Sequence, residues 1–449
     1  MEATWSDAGS RLAARAASYV KENRLPGAAV GVVDRNELGW WAPIGFADIA
    51  SCRPPELTTL YRIASITKTF TATAIMRLRD EGRLRLDDPV ARYIPDVAHL
   101  EDVTIRRILS HESGLQSEPP ETDWAEVKYE GNVERNLERA KEMATVIPPN
   151  SQTKYSNLGF QLLGEVIARV SEMPYVDYIR ERILEPVGMT STSFEPLPPN
   201  MLPNRATGYA ARFLSDNLAL ASIPPSIWSE GGLWSCVDDL ARWISYQFSD
   251  DATLREMHRP RYITDADWTQ AWCIGWYALR REKTIWIVHT GSLHGFSSAV
   301  CFRPADRIGA IALINGVGDA ATLAIDLGTI ALEALNAMGP RIELPPPLPE
   351  AFGDVIGFYV RKESDVVLRV EWRDGRLAVI DPGLPAWRPT LTPTSDRDVF
   401  MIEPGVRQSG ERAVFRRLED GRVSALFLAA STYERLDPVS AAVRMESDR

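Results

Sequence analysis

"RIASITKTFTATAIMRLRDEGRL", Arg62 to Leu84, sets a serine three residues before a lysine where an apolar, helix-periodic run begins. The run starts at Ser65 and Gly82 stops it, so a helix is expected between them. Helical positions three apart share a face with Cβ atoms about 5–6 Å apart, which brings Ser65 and Lys68 within hydrogen-bonding reach. The positive helix end and the apolar neighbours both disfavour a protonated amine. A neutral Lys68 can then take the Ser65 proton, and the Ser65 peptide N–H can stabilise an oxyanion. The plain alternative makes Ser65 an N-cap and nothing more.

Spacing alone does not choose this pair, because "SYVK" at Ser18 and "SQTK" at Ser151 repeat it. Ser18 lies in an N-terminal helical pattern whose Lys21 sits among Glu22, Asn23 and Arg24, a solvated helix end where a lysine keeps its proton. Ser151 follows the turn-rich "VIPPN", and Lys154 is expected to be exposed.

At 449 residues the chain exceeds a typical domain, which predicts two units. A net charge of −11 without a Lys/Arg run argues against nucleic acid or an anionic membrane, and for a small-molecule or short-peptide substrate. The N-terminus reads as an amphipathic helix rather than a signal peptide, and no run reaches the roughly 18 apolar residues of a membrane span, so a cytoplasmic protein is expected. The four cysteines, Cys52, Cys236, Cys273 and Cys301, show no C-x-x-C spacing and read as reduced, partly buried hydrophobes. With no H-E-x-x-H and no ligand cluster, neither a metal nor another cofactor is expected.

Two strands are expected at Gly27–Val33 and Leu38–Phe46, a helix-rich middle from Ser65 to about Ser249, then strands in "CIGWYALRR", "TIWIVHTG", "SSAVCFRP" and "IGAIALING". Strands at both ends with helices between them predict an α+β fold: one antiparallel sheet gathered from distant segments, with a helical region beside it and a ligand cleft between. Pro-rich "GPRIELPPPLPEAF" ends this first unit, 1–338, and residues 339–350 form a linker. Period-two runs around Asp374-Gly375 and Asp420-Gly421 then predict a small β barrel or sandwich over 351–438, with a tail at 439–449. That β unit is free to shape the cleft or to mediate assembly, and a homo-oligomer stays open.

Two stretches complete the chemistry. "KYSNLGFQLLGEVI" holds Tyr155, Ser156 and Asn157, and "VHTGSLHGFSS" holds His289, Thr290, Gly291 and Ser292. Ser-x-x-Lys, Tyr-x-Asn and His-Thr-Gly in this order resemble the three motifs of serine β-lactamases and penicillin-binding proteins, in the form carried by class C β-lactamases, DD-peptidases and related esterases. "LSHESGL", "ILEPVGMTST" and "EGGLWSCVDDLARW" are similar to further segments of that family, over about residues 20 to 338. The second unit resembles the lipocalin-like domain of some members.

The resemblance implies a serine hydrolase that works through an acyl-enzyme on Ser65. Lys68 and Tyr155 share the proton transfers, Tyr155 as base or as donor to the leaving group. Asn157 accepts from Lys68 and donates to the substrate amide. His289 ends its strand, so that Thr290, Gly291 and Ser292 offer an edge to an extended substrate. Gly291 allows close approach of the substrate backbone. Thr290 contacts a substrate carboxylate or carbonyl, and the Ser292 N–H is the second oxyanion donor.

One departure matters. Many β-lactamases carry lysine where this chain has His289, which titrates near 6.5 and so supplies no fixed cation above neutrality. Efficient β-lactam turnover is therefore not expected, and a peptidase or amidase acting on D-amino-acid-containing substrates is preferred. A carboxylesterase is the alternative within the same chemistry, and Trp228 and Trp234 offer either an apolar wall for its substrates or core packing. A penicillin-binding sensor without turnover is the non-enzymatic rival. A Ser-His-acid hydrolase lacks its G-x-S-x-G elbow here, and His111 in "LSHESGL" reads as a loop-holding residue.

Overall fold

The computed structural model describes residues 6–118, 141–210, 228–337, 347–361, 366–373, 375–384, 388–403 and 409–436. The chain divides into two compact units, Met1–Gly339 and Pro340–Arg449.

In the first unit, helix α1 (Ser6–Glu22) leads into strands β1 (Gly27–Asp34) and β2 (Glu37–Gly45), joined by a tight turn with Arg35 at φ +61°. Three short strands, β3 (Tyr61–Arg62), β4 (Ser193–Phe194) and β5 (Leu233–Ser235), form a small sheet with β5 in the middle. Between them run α2 (Thr67–Asp80) and α3 (Asn157–Ser171). After α4 (Val237–Gln247) come β6 (Tyr262–Ile263), β7 (Gln270–Trp272), β8 (Tyr277–Arg281), β9 (Thr284–Leu293), β10 (Phe296–Arg303), β11 (Ile308–Ile314) and α5 (Ala320–Ala337).

The main sheet has the order β2-β1-β11-β10-β9-β8-β7-β6 with antiparallel neighbours, so β1 closes against β11 from the far end of the unit. Both central strands are small, β-branched and buried along almost their whole length because the sheet is covered on two sides. Ala28, Val30 and Val32 pack with Leu12 and Ala16 of α1 and Leu323 and Leu327 of α5, whereas Ala29 and Val33 join the core of the helical region. That is the period-two division of a strand between faces.

Three expectations need correction. The long helix starts at Thr67: Ser65 lies on a preceding 3₁₀ turn, Ala64–Ile66, and makes no capping hydrogen bond. His289 does not end its strand, since β9 continues to Leu293. And α5 is long and apolar enough to cross a membrane by length and composition, at a mean hydropathy of 1.3. Its apolar face packs on the sheet, and its Asp326 and Glu333 pair with Arg15 and Arg11 of α1 at 2.6 and 2.7 Å, the arrangement of a core helix.

The second unit is a closed barrel of eight strands between Gly357 and Leu436, each paired with the next in sequence and the last with the first through Phe358 and Leu436. Closure removes the sheet edges. Tyr359, Leu368, Val370, Phe400 and Phe415 fill its interior. Gly375 (φ +77°) and Gly421 (φ +85°) sit in two of the hairpin turns, while Asp374 lies outside the described residues. So do residues 339–346 of the expected linker, residues 437–438 of the expected β unit and the expected tail, 439–449. Cys52 is exposed and the other three cysteines are buried, all of them free.

Candidate active site

Ser65 is carried to the cleft by a backbone with little freedom. Ala64 has φ +45°, a left-handed conformation that costs a non-glycine residue energy. The Ile63 N–H bonds to the Leu233 carbonyl at 3.0 Å, and the Thr67 hydroxyl donates to the Ala64 carbonyl at 2.6 Å while accepting from the Leu233 N–H at 3.2 Å. The turn is thereby tied to β5, the strand after Gly231-Gly232.

Lys68 is fully buried on the first turn of α2. Its Nζ lies 3.1 Å from Ser65 Oγ, 2.7 Å from Asn157 Oδ1 and 2.6 Å from the Glu230 carbonyl oxygen. An ammonium would donate to all three. A neutral amine would donate to the two carbonyl oxygens and turn its lone pair to the Ser65 O–H. The aromatic rings of Tyr155 and Phe160 lie 5.0 and 5.5 Å from the same nitrogen.

The other two Ser-x-x-Lys pairs make no such contact. Ser18 donates to Glu22 at 2.8 Å on an exposed helix end, and Ser151 donates to the Pro148 carbonyl at 2.6 Å. Lys154, expected to be exposed, is half-buried and donates to Ser117 Oγ at 3.0 Å. It stitches the Tyr155 segment to the 111–117 loop: the Ser117 hydroxyl donates to the Tyr155 carbonyl at 2.6 Å, and the Asn157 N–H to the Ser117 carbonyl at 3.0 Å.

His111 does more than hold a loop. It is buried, and its Nδ1 accepts from the Ser156 N–H at 3.2 Å. Its ring lies 4.4 Å from that of Tyr155 and 4.5 Å from that of Trp272. Burial first, then the Lys68 charge, holds its pKa well below 6.5, so it stays neutral and keeps the acceptor. Ser156 caps α3 by accepting from the Gly159 N–H at 3.0 Å, so Asn157 enters the site as the first residue of that helix.

His289 is buried as well, and burial with the Lys68 charge pushes its pKa down to about 3. Its Nδ1–H donates to the Thr290 carbonyl at 2.8 Å, which leaves Nε2 a bare acceptor with no partner among the described residues. The expected loss of charge only above neutrality is thus corrected: this imidazole is neutral throughout the ordinary pH range. Thr290 accepts from the Tyr277 hydroxyl at 3.2 Å.

β8 pairs with β9 only as far as Val288, so beyond it the β9 edge runs free of β8. His294 (φ +42°) and Gly295 (φ +76°) form the two-residue turn that closes Leu293 on Phe296. Because antiparallel pairs alternate, the peptide N–H of Ser292, one step back from that closing pair, points away from β10 toward the free edge. Gly291 is explained differently from expectation. A Cβ there would stand 2.1 Å from the Ile63 carbonyl oxygen, so the close approach it permits is that of the protein's own turn carrying Ser65. The Ser298 hydroxyl donates to the same carbonyl at 2.9 Å.

Two carboxyl groups within electrostatic reach of Lys68 were not singled out by sequence reasoning. Asn157 Nδ2 donates to Glu118, whose second oxygen is buried with no partner among the described residues. One of the two amide N–H groups expected to face the substrate is therefore engaged. Glu230 is buried, and burial pushes its pKa up to about 7 against the pull of a 2.6 Å hydrogen bond from Gln161 and of the Lys68 charge. Trp234 is a core residue, its Nε1 donating to Glu195 at 3.0 Å, and the Trp228 side chain lies outside the described residues.

Two cavities meet at Ser65, Asn157 and Ser292. The smaller, about 330 Å³, is walled by Ala64, Glu230, Gly231, Leu293 and His294. The larger, about 650 Å³, is walled by Tyr155, Trp272, Tyr277, Leu279 and Thr290.

The family profile described as Beta-lactamase matches residues 12–335. The chain belongs to the β-lactamase family. This β-lactamase-family chain is 27% identical over 316 residues to Protein flp of Staphylococcus aureus (strain MRSA252), covering 66% of this chain and 60% of that protein. It is 30% identical over 275 residues to Beta-lactamase-like protein 2 of Dictyostelium discoideum, covering 55% and 48%. The match thus spans less than two thirds of the length of either relative. Two solved structures share the fold at a TM-score of 0.63. The octameric penicillin-binding protein homologue from Pyrococcus abyssi, 23% identical, covers 94% of this chain and 99% of its own. The D-alanine carboxypeptidase AmpC from Burkholderia cenocepacia, 20% identical, covers 73% and 99%.

Proposed function

We propose that Ser65 is the nucleophile of a peptidase or amidase that cleaves amide bonds in D-amino-acid-containing peptides or amides. The observation that carries the nucleophile is Lys68 Nζ, buried and shared between Ser65 Oγ, Asn157 Oδ1 and the Glu230 carbonyl. In this reading Lys68 takes the Ser65 proton as Oγ attacks the carbonyl carbon, and the Ser65 and Ser292 N–H groups hold the oxyanion. The C–N bond breaks as Tyr155 delivers a proton to the leaving nitrogen. Water then attacks the ester carbonyl, gives its proton back through the same groups and frees Ser65.

The preference over β-lactams rests on His289. Neutral, with its N–H spent on Thr290, it offers a β-lactam carboxylate no cation. An esterase is the second reading, favoured by the aromatic wall of Trp272 and Tyr277, which suits an aryl leaving group. Hydrolysis of D-alanine amide and D-alanyl peptides, measured beside p-nitrophenyl acetate and butyrate, separates the two: turnover of the esters alone rejects the peptidase. The reading extends to self-association, since the Pyrococcus neighbour that covers both units is octameric. Light scattering tests this, and a monomer at working concentration rejects it.

A further inference from the structure

The larger cavity does not end at the reacting atoms. Tyr277, Leu279 and Arg281 alternate along β8 and share the face that lines it, with Trp272 of β7 beside them, and the start of α5 forms the opposite wall. At one end Tyr277 bonds to Thr290. At the other, Arg281 is exposed, and its guanidinium makes no ion pair or hydrogen bond among the described residues. The carboxylate on the opposite wall, Asp319, is already engaged by the Thr322 N–H and hydroxyl at 3.1 and 2.6 Å. Arg281 lies four strand steps beyond Tyr277, about 14 Å at about 3.4 Å per residue.

Tyr155 lines this cavity rather than the smaller one. The group that protonates the leaving nitrogen must face the leaving group, so the leaving group lies here. We propose that this cavity is an extended leaving-group subsite: it takes three or four residues on the C-terminal side of the cleaved bond, lays them along Trp272, Tyr277 and Leu279, and holds their terminal carboxylate at Arg281. The count follows from the span, since an extended chain covers at most about 3.3–3.6 Å per residue. A single amino acid leaving from Ser65 would fall short of the guanidinium. The proposal rests on the peptidase reading above and adds the length and charge of what departs.

The test is a peptide series with a D-alanyl residue on the acyl side and one to four alanines beyond the cleaved bond, each as the free acid and as the C-terminal amide. For the wild type, Arg281→Gln and Arg281→Glu, the quantity read is the ratio of kcat/KM for acid over amide at each length. In the wild type the ratio should be near 1 at one residue and rise to roughly tenfold at three or four, mainly through KM, as expected for one charge-assisted contact. It should return to about 1 in Arg281→Gln and fall below 1 in Arg281→Glu. A ratio near 1 at every length in the wild type, or one unchanged in Arg281→Glu, overturns the subsite while leaving the peptidase reading intact. If no peptide is cleaved and p-nitrophenyl esters are, the peptidase reading fails and the subsite fails with it.

Discussion

The carbonyl oxygen of Ile63 faces Gly291 so closely that a Cβ on Gly291 would stand 2.1 Å from it. This contact seats the turn that carries Ser65 against β9, whose Ser292 N–H is the proposed second oxyanion donor. Gly291→Ala must therefore push the turn and the strand apart. An expected loss of about 1–3 kcal/mol in chemical denaturation accompanies a fall of at least tenfold in kcat. Stability and kcat both within error of wild type would show that the two segments are not held by this contact.

His111 positions Tyr155 through the Ser156 N–H and through a tilted ring contact. His111→Phe keeps an aromatic ring but leaves the buried Ser156 N–H without an acceptor, at a cost of about 1–3 kcal/mol. In the proposed reaction Tyr155 takes part in the proton transfers, so kcat should fall more than KM rises. A change confined to KM would place His111 outside this chain of contacts.

Glu230 binds a proton more tightly folded than unfolded, its pKa moving from 4.5 to about 7 on burial. Its stabilising share is thus full below about pH 4.5 and is lost as pH rises toward and through 7. Glu230→Gln removes that loss, so the stability of the variant relative to wild type should climb between pH 5 and pH 8, on the order of 2–3 kcal/mol in total. Equal offsets at the two pH values would mean that the carboxyl is not held protonated.

His289 acts in the opposite sense. Its folded pKa of about 3 lies below the ordinary histidine value of 6.5, so its contribution is present above 6.5 and is lost as pH falls from 6.5 toward 3. Urea midpoints should drop steadily from pH 7 to pH 4.5, with a shallower slope in His289→Gln. An unchanged slope in that variant would contradict the buried neutral imidazole.

The sheet, the helical middle and the barrel were legible because their signals are local: small apolar runs for β1 and β11, and Asp-Gly turns between alternating strands. So was the meeting of Ser65, Lys68, Tyr155 and Asn157, once motifs distant in sequence were read together. What escaped had physical causes. The third partner of Lys68 is the backbone carbonyl of Glu230, which no side-chain type announces. Gly291 looked like room for a substrate because its neighbour Ile63 is 228 positions away in sequence and meets it only across the fold. The depth of burial of His289 follows from Trp276 and Tyr277 packing over it, and a residue in isolation shows only its ordinary pKa.

The central claim is that the acyl group passes through Ser65. Intact-protein and peptide mass spectrometry after brief exposure to a mixture of p-nitrophenyl esters, D-alanyl peptides and penicillin reads this directly. One acyl adduct should appear on the peptide containing Ser65. It should be absent from Ser65→Ala and present in Ser18→Ala and Ser151→Ala. An adduct that persists in Ser65→Ala, or that maps to Ser18 or Ser151, would contradict the account.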